Sequence, residues 1–326
     1  MNAEDFMPGP ETLARIRKEI DGYEAGRIQA AGRVRWRVPL FLGLLLVGVA
    51  AIAYLFNAFA DPREQWFSAP HVFLYLVGFV ASFFVYGMAM KPATELQQSF
   101  RDKVLPAIFG FIADMRYARG TTPASFDRLP RAAAGSFNRQ SFDDVISGRY
   151  EDFSFELYEA SLSQKAGKST QTVFRGIILA FETEAAFPGL LVATRRSGSV
   201  ARFFRDMFGS GGLEELQSGV PHLDEQYEFR SDNLSAARPL VTGRLARALD
   251  WLRESWPHDP ARVALQGHDG FLLLPHTKNF FELPGVGTPL DYDKHIKPII
   301  ADMVSLLATG ALVRKVGARD DAPGQS

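Results

Sequence analysis

Residues 39–60, PLFLGLLLVGVAAIAYLFNAFA, and residues 70–90, PHVFLYLVGFVASFFVYGMAM, decide how the rest of the chain is read. Neither stretch holds a Lys, Arg, Asp or Glu, and Asn57 and His71 are the only strongly polar side chains. At ~1.5 Å rise per residue, a helix of about 20 residues covers the ~30 Å core of a bilayer. The bridge Asp61–Ala69 is too short to hold a domain, so the two runs predict one helical hairpin that crosses a membrane and returns. Core helices of soluble proteins seldom stay uncharged for so long. A cleaved signal peptide is also a poor fit, because the first run lies deep in the chain and a second span follows it.

The flanks predict the orientation. Arg27, Arg33, Arg35 and Arg37 precede the first run, Lys91, Arg101 and Lys103 follow the second, and the bridge carries only Arg63 between Asp61 and Glu64. Positive residues stay on the cytoplasmic side, so both termini are expected in the cytoplasm and the bridge outside. In a bacterial cell this is the inner membrane. Trp36, Tyr54 and Trp66 stand where an aromatic belt is expected.

The remainder of the 326 residues suffices for a sizeable soluble domain. Net charge is −1, without the basic domain or face that binding to nucleic acid calls for. With no cysteine the chain has no disulfide, thiolate metal site or cysteine nucleophile, which suits a reducing compartment.

Taken in order, residues 1–37 predict a helical lead-in from Thr12 with Leu13, Ile16, Ile20 and Tyr23 at helical spacing. Its acids dilute the basic face, which favours a cytoplasmic helix over one lying on anionic lipid. Gly78 and Ser82 form a small-residue step for the hairpin partner, compatible also with a homo-oligomer. Residues 91–116 predict an amphipathic exit helix, opened by Pro92 and interrupted at Pro106, with Leu96, Phe100, Val104, Ile108 and Phe111 along one face. From Tyr117 to Phe142 the chain reads as an irregular, loop-rich entry. Strands are expected at Phe153–Tyr158, Thr170–Glu182, Leu190–Thr194 and Glu225–Arg230, the second and third as antiparallel neighbours. Arg262–Gln266 and Phe271–Leu274 read as a hairpin around residues 267–270, and Asn279–Leu283 as a further strand. Helices are expected from Ser199 to Phe208, from a Thr242 cap through Ser255, and from Asp291 to a stop at Gly310. The whole predicts an α+β protein: a two-helix transmembrane hairpin at 38–90, then a cytoplasmic domain of antiparallel sheet with packed helices over 117–316, with 317–326 as a disordered tail.

The chemical motifs are incomplete. Ala166-Gly167-Lys168-Ser169 resembles the end of a phosphate loop, but Leu162 stands where the first Gly belongs and a β run follows, so a hairpin turn is the better reading. Gly209-Ser210-Gly211-Gly212 lacks both the nucleophile-elbow and the dinucleotide spacing. The six histidines show no metal-ligand spacing; His268, Asp269 and His276 would need to converge across the predicted hairpin to hold zinc. Asp143, Asp144, Glu151, Asp152, Glu156 and Glu159 form the densest acidic cluster, read either as a solvated edge or as an acid/base or divalent-cation site. Glu156 and Glu159 fall on opposite faces of an ideal strand.

One resemblance covers much of the chain. Leu105-Pro106, Ser141-Phe142-Asp143-Asp144, Gly148-Arg149-Tyr150-Glu151-Asp152, Phe155-Glu156-Leu157-Tyr158-Glu159-Ala160, Val173-Phe174-Arg175-Gly176-Ile177 and Phe187-Pro188-Gly189 follow the two spans in order. The chain resembles the bacterial domain-of-unknown-function family 3137. The resemblance implies a bacterial membrane protein with a cytoplasmic α+β domain; it supplies no accepted activity and hence no catalytic residues.

The expectation is therefore a membrane-anchored interaction or scaffold module, without assigned catalytic residues, cofactor or metal. Its partners would be the bilayer and a protein or lipid headgroup, docked on the basic, aromatic helix that carries Arg202, Phe203, Phe204, Arg205 and Phe208. More often such a face is core. The alternative is a membrane-tethered enzyme with a site around Asp144, Glu151, Asp152 and His268. Transport is disfavoured, because one hairpin without a buried ionisable residue offers no pathway.

Overall fold

The computed structural model describes residues 9–59, 66, 68–100, 104–150, 152–167, 169–196, 212–256, 260–276 and 285–315. Among these the chain divides into two compact units, one built on Pro10–Ile108 with Leu283–His295 and the other on Phe109–Glu282 with the chain from Ile296 onward.

The first unit is helical. Helix α1 runs unbroken over Pro10–Phe59, and α2 over Ala69–Ser99. The expected lead-in is therefore one helix with the first apolar run, and Pro39 lies inside it. Proline removes one backbone donor, and an apolar helix of this length keeps its remaining hydrogen bonds regardless. Pro92 likewise lies within α2 rather than opening a new segment. The predicted exit helix is shorter than expected: α2 ends at Ser99, the four-residue helix α3 covers Leu105–Ile108, and a strand begins at Ala113. Its apolar stripe is nonetheless correct, since Phe100, Val104 and Ile108 are all buried.

Helices α1 and α2 pack antiparallel. A Cβ on Gly78 would lie 2.9 Å from Val49 Cγ2, so the glycine sets the closest approach. His71 Nε2 sits 3.2 Å from the Ala53 carbonyl and its Nδ1 2.7 Å from Ser68 Oγ. Nearer the N-terminus Tyr23 stacks edge-on against Phe100. Arg27 donates to the Val286 carbonyl at 2.9 Å and to Glu24 at 2.8 Å, while Glu24 accepts the Leu290 N–H at 3.1 Å. The Arg17 guanidinium lies over the Tyr292 ring. The segment around Val286–Tyr292 thus docks on α1 from far along the chain, and Ile16, Ile20 and Tyr23 are buried in protein.

The second unit is a seven-stranded antiparallel sheet: β1 (Ala113–Arg119), β2 (Arg139–Tyr150), β3 (Phe153–Ala166), β4 (Ser169–Arg195), β5 (Glu214–Leu216), β6 (Tyr227–Ser231) and β7 (Arg262–Pro275). The order is β1-β2-β3-β4-β6-β5, with β7 along the other edge of β4. Two expectations change here. Residues 170–182 and 190–194 are one bent strand, not neighbours, because bulges between Glu182 and Leu190 carry the ladder past Pro188-Gly189. Residues 262–274 are likewise one strand; Gly267, at φ 56°, absorbs a bulge where a turn was expected.

Among the described residues, α4 (Arg131–Ala134), α5 (Pro221–Gln226), α6 (Leu234–Val241), α7 (Arg244–Ser255) and α8 (Lys297–Val313) accompany the sheet. The expected loop-rich entry over 117–142 contains the last three residues of β1, a 3-10 turn at Phe126–Arg128, α4 and the start of β2. Thr242 closes α6 instead of opening α7. The last helix continues through Gly310, whose missing side chain lets it pack on Leu179 and Phe181.

One face of the sheet, with Tyr158, Ala160, Leu162, Phe174 and Ile178, packs on Phe126, Leu129 and α4. Arg262 closes this layer by donating to the Ala133 and Ala134 carbonyls. The opposite face carries Leu157, Leu179 and Phe181 beneath α8. Each face needs its own cover because β4 is apolar on both sides.

Candidate functional site

Beyond the reach of that helical cover, the face shared with Leu157 and Leu179 turns polar. Strand alternation places Glu159 and Ser161 on it after Leu157, and Arg175 on it before Ile177 and Leu179. Ser161 pairs directly with both Ser141 and Arg175. His276 follows the end of β7 and donates its backbone N–H to the Arg175 carbonyl at 2.9 Å. A cavity of about 410 Å³ lies over this row, lined by Ser141, Asp143, Glu159, Ser161, Arg175 and His276 with the backbone between them.

Two backbone irregularities build the cavity. The β2–β3 register shifts between Phe142 and Val145, so Asp143 and Asp144 occupy a bulge. At the other end Gly176 adopts φ 154°, and a Cβ there would fall 2.0 Å from the Leu274 carbonyl oxygen. Only glycine lets β7 approach closely enough to bring His276 beside Arg175.

The acidic end is dense. Carboxylate oxygens of Asp143, Asp144 and Glu159 all lie within 4.8 Å of one another. Asp144 is fully buried and accepts a hydrogen bond from Tyr117, while Asp143 pairs with Arg119 at 2.8 Å. That ion pair raises the Arg119 pKa above its ordinary value. By number and spacing these carboxylates are the residues that could hold a hard divalent cation.

Asp144 therefore stands in the candidate site, but the other residues expected beside it do not join it. Asp152 is ion-paired to Arg314 at 3.1 Å by the β2–β3 turn, and His268 is exposed near the bulge of β7. The proposed convergence of His268 with His276 fails because both follow one another along a single strand. Glu156, on the opposite face from Glu159, accepts from Ser125 N, Ser125 Oγ and Ala124 N and anchors the turn before α4. Glu151 and the five residues Arg202, Phe203, Phe204, Arg205 and Phe208 lie outside the described residues, as does the expected strand Asn279–Leu283. Arg175 and His276 had no apparent link to the acidic cluster in the sequence. They join it through β3–β4 and β4–β7 pairing, and the second of these spans about a hundred residues.

Compared with known families, the description "Protein of unknown function (DUF3137)" matches residues 172–312. That stretch carries the DUF3137 pattern. The DUF3137 segment includes the Val173-Phe174-Arg175-Gly176 strand and everything through most of α8. The Tyr150 to Glu156 motif, which carries the likeness together with the Val173–Gly176 strand, precedes it. The segment thus supplies Arg175 and His276 to the cavity, whereas Asp143 and Glu159 come from the strands before it. No curated protein matches the sequence. Among solved structures, the mycobacterial trehalose monomycolate transport factor A, TtfA, aligns at 11% identity over 60% of this chain and 88% of its own, with a TM-score of 0.34. A score at that level carries no argument.

Among the described residues, three helices are long and apolar enough to cross a membrane, and they differ in what covers them. In the apolar windows of α1 and α2 only 6% of residues are buried, against 61% for the helix ending at Val313. Leu44, Leu46, Phe73, Phe79 and Phe84 are all exposed.

Proposed function

We propose that α1 and α2 form a hairpin through the bacterial inner membrane, with both termini cytoplasmic, and that the α+β unit is an interaction module held at the inner leaflet for a protein or lipid-headgroup partner. The observation that carries this is the contrast in cover. Away from the face by which α1 and α2 meet, their windows leave bulky apolar side chains exposed, whereas the third apolar helix is covered by the sheet and α7. Exposed apolar surface on that scale needs lipid or protein around it. Arg33, Arg35 and Arg37 at one end of the first window favour the stated orientation.

Paired reporter fusions test it. Green fluorescent protein joined after Gln325 should fluoresce, and alkaline phosphatase inserted in the bridge at Glu64 should be active. An active phosphatase at the C-terminus would overturn the topology. The module reading is tested separately by cross-linking and affinity capture in native membranes, and fails if no protein or lipid rises above background.

A further inference from the structure

We infer that one face of α1, with Arg33, Trp36 and Arg37 above Leu40, Leu44 and Val47, binds an anionic phospholipid of the leaflet on the Arg33 side. The inference rests on the membrane reading and adds a partner to it. Arg33, Arg37, Leu40, Leu44 and Val47 follow one another at spacings of four, three, four and three, with Trp36 beside Arg37. On an unbroken helix they line a single side. All six are exposed: Trp36 is 79% open, and Leu40, Leu44 and Val47 are each more than half open. Val49 and Ala53, which meet Gly78 and His71 of α2, lie farther round the helix, so the hairpin partner leaves the row uncovered.

Charge points to the headgroup. None of the hydrogen bonds or ion pairs among the described residues uses Arg33, Arg35 or Arg37. The sequence has no acid between Glu24 and Asp61, and Glu24 is taken by Arg27 at 2.8 Å. On α2, Glu95 stands 3.9 Å from Lys91, which supplies its own counter-charge. The guanidinium forks of Arg33 and Arg37 are therefore open to the phosphate oxygens of a lipid. At a membrane surface each such arginine strengthens the hold on anionic lipid by on the order of fivefold.

Length points to the chain. At ~1.5 Å per residue, Arg37 to Val47 spans about 15 Å, half of the ~30 Å core. The row thus descends from headgroup level to the midplane, the depth that the acyl chain of one leaflet fills. The Trp36 indole offers an apolar body to that chain and an N–H to ester or phosphate oxygens. A second copy of the protein fits the face poorly. In the orientation that a membrane imposes, it would set Arg33 and Arg37 beside their own counterparts. A soluble phosphate would engage the arginines and leave Trp36 and the aliphatic row bare.

The test uses the full chain in nanodiscs of phosphatidylcholine with a minor fraction of phosphatidylglycerol whose chains are brominated. Bromine quenches indole emission on contact, and the Trp36 share of the emission is the part lost in Trp36→Phe. Quenching of Trp36 should exceed that expected from the bulk fraction of bromolipid by at least about fivefold. Arg33→Gln and Arg37→Gln should each cut the excess several-fold at unchanged melting temperature, and together abolish it. Arg35→Gln removes the same charge from the other side of the helix and should leave the excess standing. Equal quenching by brominated phosphatidylcholine, an excess that Arg33→Gln and Arg37→Gln leave intact, or one that Arg35→Gln removes as well would each overturn the proposal. Displacement by glycerol 1-phosphate would do the same by marking a soluble anion, and absence of all quenching by marking a protein on the face. If the reporter fusions invert while the excess persists, the site stands and the topology falls; if the fusions hold and the excess is missing, the site alone falls.

Discussion

Gly176 bears the heaviest local constraint in the sheet. Its φ of 154° is tolerated by glycine alone, and a methyl there would overlap the Leu274 carbonyl. Gly176→Ala should cost at least about 3 kcal/mol, lowering the melting temperature by roughly 6–12 °C for a unit this size. Calorimetry checks it, and an unchanged melting point refutes it. A second residue ties stability to pH. Burial on α8 pushes the Asp302 carboxyl up to about 6, against ~3.9 in an unfolded chain. The folded state keeps a proton that the unfolded chain releases, so the contribution of Asp302 to stability is fully present below about pH 4 and is lost as pH rises through about 6. Asp302→Asn should flatten that decline and, at pH 7.5, raise stability by about 1–2 kcal/mol; below pH 4 the two proteins should melt alike. Neither residue stands out in the sequence, because one depends on how near β7 comes and the other on what covers α8.

At the scale of elements, the long apolar runs, the β3–β4 turn at Gly167 and the apolar stripe through Phe100 and Ile108 were legible, since each is a local pattern. Interruptions were misread. Pro39 and Pro92 suggested helix ends, and Pro188-Gly189 and Gly267-His268 suggested turns. In each case the element continues past the interruption. Asp232 shows how: its carboxylate accepts the Leu190 N–H at 2.7 Å, securing β4 just past the glycine. The clamp on α1 is equally invisible in sequence, because Arg27 and Val286 lie 259 residues apart. The Arg27 guanidinium holds the Glu24 carboxyl below the usual range, as its pairing requires. Arg27→Ala leaves the Val286 carbonyl without its donor and Glu24 without its counter-charge. Hydrogen exchange at the backbone amides of residues 286–291 should then accelerate at least tenfold while those of β4 stay protected. Equal protection in both proteins would mean that the clamp holds nothing.

For the molecule as a whole, two uncovered apolar helices on an otherwise well-packed chain predict its behaviour in fractionation. The protein should sediment with membranes, resist extraction by high salt or alkaline carbonate, and come free only in detergent. Release by salt alone would place it on a membrane surface or off it. The α+β class was readable from the mixture of periods, whereas the candidate site was readable only as its acidic half. Pairing across a sheet joins residues that no window of sequence contains, and the basic half arrives on strands made later. The same delay has a bearing on biogenesis. Leu290 leaves the ribosome 266 residues after Glu24, about 15–50 s later at ordinary rates of translation. Throughout that interval the upper turns of α1 wait bare for a partner not yet synthesised. A chaperone has that interval in which to hold the nascent rod, and the closing of residues 286–291 over it ends the wait.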